Sequence, residues 1–200
     1  MKNCVGIINL DENENGMKGL TKNRVLASVP FAGRYRIIDF ILSNMTNSGV
    51  ACIGIFTKNK SRSLMDHLTN GRPWDLHRRN NGLKVFNFGD NNLAEDDVHD
   101  FYENRKFIEY SNCDYVLLAS SNMICNIDYN EVLEEHIKKD NDVTIVYKSI
   151  DKDDIADFSD CRTVMLDDDN RVVSCGENII DRSNTNVNME MYILKTKMFL

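Results

Sequence analysis

Along the chain, short apolar runs alternate with stretches in which apolar residues recur every three or four positions. The runs Cys4 to Leu10, Ala51 to Thr57, Leu83 to Phe88, Tyr115 to Ala119 and Val143 to Tyr147 predict strands. Between them, Ile37, Ile38, Ile41 and Met45 lay an apolar face along a helix over Arg36 to Asn47. Leu64, Met65 and Leu68 do the same over Ser61 to Leu68, and Val98, Phe101, Tyr102, Phe107 and Ile108 over Val98 to Tyr110. Asp128 is placed to cap a further helix that carries Tyr129, Val132, Leu133, His136 and Ile137 on its apolar side. Strand and helix in alternation predict an α/β fold, with a mostly parallel central sheet and helices on both faces.

The last fifty residues change pattern. Thr163 to Leu166 and Arg171 to Ser174 flank the turn Asp167-Asp168-Asp169-Asn170, which predicts a β-hairpin near the C-terminal end, and Asn188 to Leu194 predicts another strand. Lys195 to Leu200 reads as the opening of one more helix. A domain seldom stops there, so residues 1–200 are expected to form one domain of a longer protein.

With 200 residues, 42% of them hydrophobic and 28% charged, the chain suits one globular domain with a real core. No apolar run approaches the roughly 18–20 residues of a membrane span, and the N-terminal run lacks the length and cleavage site of a signal peptide. A cytoplasmic protein without a membrane partner is expected. The net charge is −7 and no segment is densely basic, so nucleic acid is not an expected partner. Six cysteines without a C-x-x-C pair predict buried free thiols rather than a metal framework or disulfides. His67, His77, His99 and His136 show no metal-ligand spacing, and His136 is expected to find its partner within its own helix. The run Asp167-Asp168-Asp169 reads as a solvated hairpin tip.

Open parallel sheets bind ligands outside the carboxyl ends of their strands, so the loops there decide the chemistry. The first reads Asp11-Glu12-Asn13-Glu14-Asn15-Gly16-Met17-Lys18-Gly19. A phosphate cradle needs glycines that let N–H groups converge, and this loop offers Asp11, Glu12 and Glu14 with no glycine before Gly16. Two like charges about 5 Å apart repel by roughly 3 kcal/mol at an effective dielectric near 20, which opposes any triphosphate here. The loop after Ala119 reads Ser120-Ser121-Asn122-Met123-Ile124-Cys125 and has no carboxylate to hold Mg²⁺. No metal site and no cofactor are expected. The remaining informative stretch runs from Val29-Pro30-Phe31-Ala32-Gly33-Arg34-Tyr35-Arg36 into Ile37-Ile38-Asp39-Phe40-Ile41-Leu42-Ser43-Asn44.

That stretch resembles the ADP-glucose pyrophosphorylase (glucose-1-phosphate adenylyltransferase) family, whose members carry Val-Pro-Phe-Gly-Gly-Lys-Tyr-Arg-Ile-Ile-Asp-Phe and then Leu-Ser-Asn. The likeness continues through Asn47-Ser48-Gly49, the strand ending at Thr57, Arg72-Pro73-Trp74-Asp75-Leu76, Tyr115-Val116-Leu117 and Ile127-Asp128-Tyr129. It implies a Rossmann-like nucleotidyltransferase fold. The implied reaction joins ATP and glucose 1-phosphate into ADP-glucose and pyrophosphate, for glycogen or starch synthesis, with Mg²⁺ in active members. The family's C-terminal left-handed β-helix is absent from this chain. Family enzymes open with Gly-Gly-x-Gly-x-Arg, which falls here on Asp11 to Gly16. Their Arg-Ala-Lys-Pro becomes Arg24-Val25-Leu26-Ala27, and their metal-binding Gly-Asp-His becomes Ser121-Asn122-Met123. Their Gly-Thr-Ala aligns loosely with Asp96-Asp97-Val98, and Glu-Lys-Pro has no match after Cys175.

A kept scaffold with erased charge-stabilising groups is most similar to the family's regulatory D-type subunit, a pseudoenzyme that pairs with a catalytic paralogue in a hetero-oligomer. Losing one such donor costs about 10²–10³ in rate. The degenerate pocket then comprises Asp11, Glu12, Glu14, Gly16, Leu26, Ser121, Asn122 and Met123, with no catalytic residue. By the same resemblance, Arg34, Arg36, Lys58 and Arg72 could form an effector-phosphate or interface site, with Trp74 as packed anchor or stacking platform. Two alternatives stand beside this reading. One is an active adenylyltransferase with rearranged ligands, using Asp11, Glu12 and Glu14 for metal and Arg24 or Lys22 for phosphate. The other is a stand-alone nucleotide or sugar-phosphate sensor that acts without partners. In the absence of the paralogue, a homo-oligomer is the alternative assembly to the hetero-oligomer.

Overall fold

The computed structural model describes residues 1, 3–10, 15–58, 60–79, 81–88, 97–151, 158, 161–177 and 184–200. The chain forms two bodies, one of Met1–Thr144 with Tyr192–Leu200 and one of Ile145–Met191.

In the first body, β1 (Cys4–Asn9), β4 (Cys52–Thr57), β5 (Gly82–Asn87) and β6 (Tyr115–Ser120) make a parallel sheet in the order β5-β4-β1-β6. Every residue of β4, and all of β1 but Asn9, is buried, because helices cover both faces of the sheet. On one face lies α2 (Ile37–Asn47). A Cβ added to Gly6 would stand 2.9 Å from Met45 Sδ, so the helix packs directly on the backbone of β1. On the other face lie α4 (Asp97–Glu103) and α5 (Arg105–Ser111), whose Phe101, Phe107 and Ile108 join Val5, Ile7, Cys52, Phe56 and Val116 in one apolar cluster. The single helix predicted from Val98 to Tyr110 is broken at Asn104, whose side-chain amide donates to Asp100 O at 3.0 Å and ends the first segment.

Other elements follow their patterns closely. α3 spans Arg62–Leu68. α6 (Tyr129–Lys138) opens on Asp128, whose carboxylate accepts from Asn130 N at 2.9 Å as the capping pattern predicts. α7 is the short turn Thr196–Phe199. Short pieces with weak sequence signals also form: α1 (Lys18–Thr21) and a two-residue hairpin of β2 (Pro30–Phe31) with β3 (Tyr35–Arg36).

His136 departs from its expected role. Its ring is fully buried, and Nδ1 lies 2.8 Å from Thr144 Oγ1, beyond its own helix, while the face of the ring meets Tyr115 edge-on at 5.6 Å. Burial, helped by Lys195, pushes its pKa down. The thiols of Cys4 and Cys52 are buried and pushed up to about 12 and about 11 by desolvation; Cys113, Cys125 and Cys161 are half-buried, and Cys175 is exposed.

In the second body, the strands that pair with β8 (Arg162–Leu166) run antiparallel to it. β8 and β9 (Val172–Glu177) form the predicted hairpin, and its Asp167 carboxylate accepts from the amides of Asp169 and Arg171 at 3.0 and 2.8 Å. β8 pairs with β10 (Asn184–Lys195), which also pairs with β7 (Val143–Asp151). No helix among the described residues is long and apolar enough to cross a membrane.

Candidate functional site

The carboxyl ends of β1, β4, β5 and β6 lie at one edge of the first body's sheet, where the loops of interest emerge. Asp11, Glu12, Glu14 and Asp96 lie outside the described residues. Gly16 sits exposed in a 3₁₀ turn over Asn15–Met17, and a Cβ added to it would meet nothing within 4 Å. Neither space nor a positive φ demands glycine there.

Leu26 has taken a packing role. It opens the 3₁₀ turn Leu26–Ser28, only 7% exposed, and clusters with Val29 and Ile37. The turn is closed by Val29 N donating to Leu26 O at 2.9 Å and by the Ser28 hydroxyl donating to Val25 O at 2.9 Å. A side chain so enclosed by hydrocarbon offers no charge to a ligand.

At the end of β6, Ser121 is buried and Asn122 and Met123 are half-buried. The Ser120 hydroxyl donates to Asn122 Oδ1 at 2.5 Å, so that carbonyl is already engaged. The loop is moored to α2 by Asn44 Nδ2 donating to Cys125 O at 2.9 Å, and the Tyr129 amide donates to Ser48 Oγ at 2.9 Å. No carboxylate occurs in residues 120–127. Thr57, ending β4, buries a hydroxyl oxygen that finds no partner among the described residues. No three His, Cys, Asp or Glu side chains among them converge as a metal site.

The cationic candidates divide. Arg36 is committed internally: Nη1 donates to Ser63 O at 2.6 Å and Ser63 Oγ at 3.0 Å, and its amide donates to Asp39 Oδ2 at 3.0 Å. The other oxygen of Asp39 meets His67 Nε2 at 2.6 Å, and the His67 ring touches half-buried Trp74 edge-on at 6.0 Å. Arg36 and Trp74 thus belong to one polar latch fastening the start of α2 to α3. Sequence reasoning missed Asp39 and His67, which are 28 residues apart, and no local pattern joins them. Lys58 stands 3.8 Å from the buried carboxylate of Asp100. Arg34, in the turn of the β2–β3 hairpin, and Arg72, in the 3₁₀ turn Arg72–Trp74, are exposed.

Residues 16–200 match the family described as nucleotidyl transferase. Among curated proteins, the glycogen biosynthesis protein GlgD of Bacillus subtilis (strain 168) is 38% identical over 147 residues, 72% of this chain and 43% of that protein. GlgD of Geobacillus stearothermophilus is 42% identical over 144 residues, 70% of the chain and 42% of that protein. The glucose-1-phosphate adenylyltransferase of Clostridium novyi (strain NT) is 34% identical over 187 residues, 90% of the chain and 48% of that enzyme. The chain spans less than half the length of these curated relatives.

Proposed function

We infer, from the premise that this chain belongs to the nucleotidyl transferase family, that it is part of a regulatory, catalytically degenerate subunit of glucose-1-phosphate adenylyltransferase in glycogen biosynthesis. Similarity to GlgD proteins as well as to adenylyltransferases supports the pathway. The observation that carries the regulatory reading is Leu26, which stands where family enzymes by resemblance hold a lysine, and which is sealed in an apolar cluster with Val29 and Ile37. A cation there would need both removal from water and displacement of that packing. The end of β6 points the same way. Mg²⁺ favours carboxylate oxygens, and Asn122 offers one amide oxygen already bonded to Ser120. Those side chains do not fit the ion.

The subunit acts by binding a catalytic paralogue in a hetero-oligomer and shifting its equilibrium between states, which requires only differential contact with those states. Its place of action is the cytoplasm. The test is an assay of the full-length protein with ATP, glucose 1-phosphate and Mg²⁺, alone and mixed with the paralogue. The expected result is negligible turnover alone and altered kinetics in the mixture. Turnover by the pure protein near that of the paralogue would overturn the reading.

A further inference from the structure

Backbone strain gathers in one short stretch of the first body. Three residues of positive φ, Thr69, Gly71 and Asp75, fall between the buried side chains of Leu68 and Leu76. Thr69 ends α3 at φ 48° and ψ −106°, where a side chain branched at Cβ crowds its own backbone. It is the one β-branched residue among the described residues of positive φ. Its side chain is exposed and makes no hydrogen bond among the described residues, so nothing local offsets that conformation.

Two contacts hold this stretch down. Gly71 is wedged against Leu76 and Leu83, and a Cβ added to it would stand 3.0 Å from the Cβ of each. Its amide donates to Leu68 O at 2.9 Å, and its carbonyl accepts from Leu76 N at 3.0 Å. Beyond it the 3₁₀ turn Arg72–Trp74 hangs between two left-handed residues, Gly71 at φ 74° and Asp75 at φ 55°. Arg72, Pro73 and Asp75 are exposed, and the half-buried Trp74 makes the second contact, its ring edge-on to His67 at 6.0 Å. His67 Nε2 lies 2.6 Å from Asp39 Oδ1, and Asp39 Oδ2 accepts from the Arg36 amide at 3.0 Å within the capping box that opens α2. One aromatic contact and two hydrogen bonds thus connect the strained turn to the entry of α2. A residue off its preferred φ persists only while its surroundings over-determine it. For Thr69 to return to negative φ, the chain after it must swing, and Trp74 leaves His67.

We propose that residues 69–75 are a strained strap with two positions. In the shut position Trp74 lies on His67 and Thr69 is strained; in the open one Thr69 is relaxed and Trp74 stands in solvent. Thr69 and Asp75 are the hinges, since residues at the ends of elements absorb such changes in φ. Shut, the strap steadies His67 against Asp39 and so the capping box of α2. Open, it loosens the start of α2 and the β2–β3 hairpin that leads into it. Regulation acts on elements of this bistable kind. The strap goes beyond the regulatory reading and does not rest on it, because its test needs neither substrate nor paralogue.

Fluorine NMR of the full-length protein labelled with 5-fluorotryptophan tests it, the Trp74 resonance being assigned by its loss in Trp74→Phe. Relaxation dispersion of that resonance in the wild type is expected to show exchange with a minor open state on the microsecond-to-millisecond scale. Thr69→Gly removes the strain of the shut position and lowers the open population about tenfold. His67→Ala removes the aromatic contact and raises it about threefold or more. Amide hydrogen exchange at residues 36–40 follows the strap, slower in Thr69→Gly and faster in His67→Ala. The first variant carries the test of coupling, because Thr69 is bonded to neither His67 nor Asp39. Asp75→Gly replaces it if circular dichroism shows Thr69→Gly unfolded. A Trp74 resonance without exchange in the wild type, an open population that Thr69→Gly leaves unchanged, or amides 36–40 that do not follow the strap overturns the proposal.

Discussion

β4 and β9 are both six-residue strands, Cys52-Ile53-Gly54-Ile55-Phe56-Thr57 against Val172-Val173-Ser174-Cys175-Gly176-Glu177, and they end in opposite environments. β4 has parallel neighbours on both sides and helices over both faces, and all six of its residues are buried. β9 ends its sheet order, paired with β8 alone among the described strands, and Val173 remains 62% exposed. What a strand contributes to stability is therefore set by what covers it as well as by its own side chains. The same contrast separates Leu26, enclosed by Val29 and Ile37, from Arg34 and Arg72, which are exposed to solvent.

The sharpest way to break this comparison is in β4. Ile53→Ala removes a side chain with no exposed surface and is expected to lower unfolding free energy by about 2–5 kcal/mol in denaturant titration. Gly54→Ala follows at about 1–3 kcal/mol, because the new Cβ would sit 2.7 Å from Phe107 Cε1 in a cluster that has little room to give.

The third test is pH. His136 has a folded pKa below its unfolded value of about 6.5, so the native state favours the neutral ring. Its stabilising effect is present above pH 6.5 and is lost as pH falls toward the folded value. The groups around it are Tyr115, Lys195, which opposes protonation, and Asp140 and Asp142, which favour it. His136→Gln is expected to flatten the decline in melting temperature between pH 6.5 and more acid solution; an unchanged slope would show that His136 is not its source.

A smaller effect of opposite sign is expected at Glu190, which adopts φ of 54° within β10, where its amide donates to Asn188 Oδ1 at 2.8 Å. Glu190→Gly relieves a left-handed backbone that disfavours side chains and should raise stability by about 0.5–1 kcal/mol, read by the same titration. Least of all, Val173→Thr on β9 should stay within about 0.5 kcal/mol of wild type. A loss there as large as that of Ile53→Ala would mean that β9 is covered in solution.

Much of the first body was legible because its signals are local. Buried parallel strands write continuous apolar runs, α2 writes a three-and-four periodicity, and Asp128 caps within two residues of its target. The break at Asn104 was missed because the apolar spacing runs through it, and only a side-chain bond to Asp100 O marks the stop. At the candidate site, the sequence alone showed that Leu26, Asn122 and Met123 lack the charges the family resemblance calls for. It could not show that Leu26 is sealed against Val29 and Ile37, or that Asn122 is bonded to Ser120.

By itself, then, the order of residues determined the α/β class, the strand and helix succession, and the absence of a carboxylate from residues 120–127 after β6, since each depends on neighbours a few positions apart. Only the tertiary structure decided the latch of Arg36, Asp39, His67 and Trp74 and the partner of His136. Apart from the local bond of Arg36 to Asp39, those contacts join residues seven to 28 positions apart, and chain connectivity places little constraint on such pairs until the core has packed.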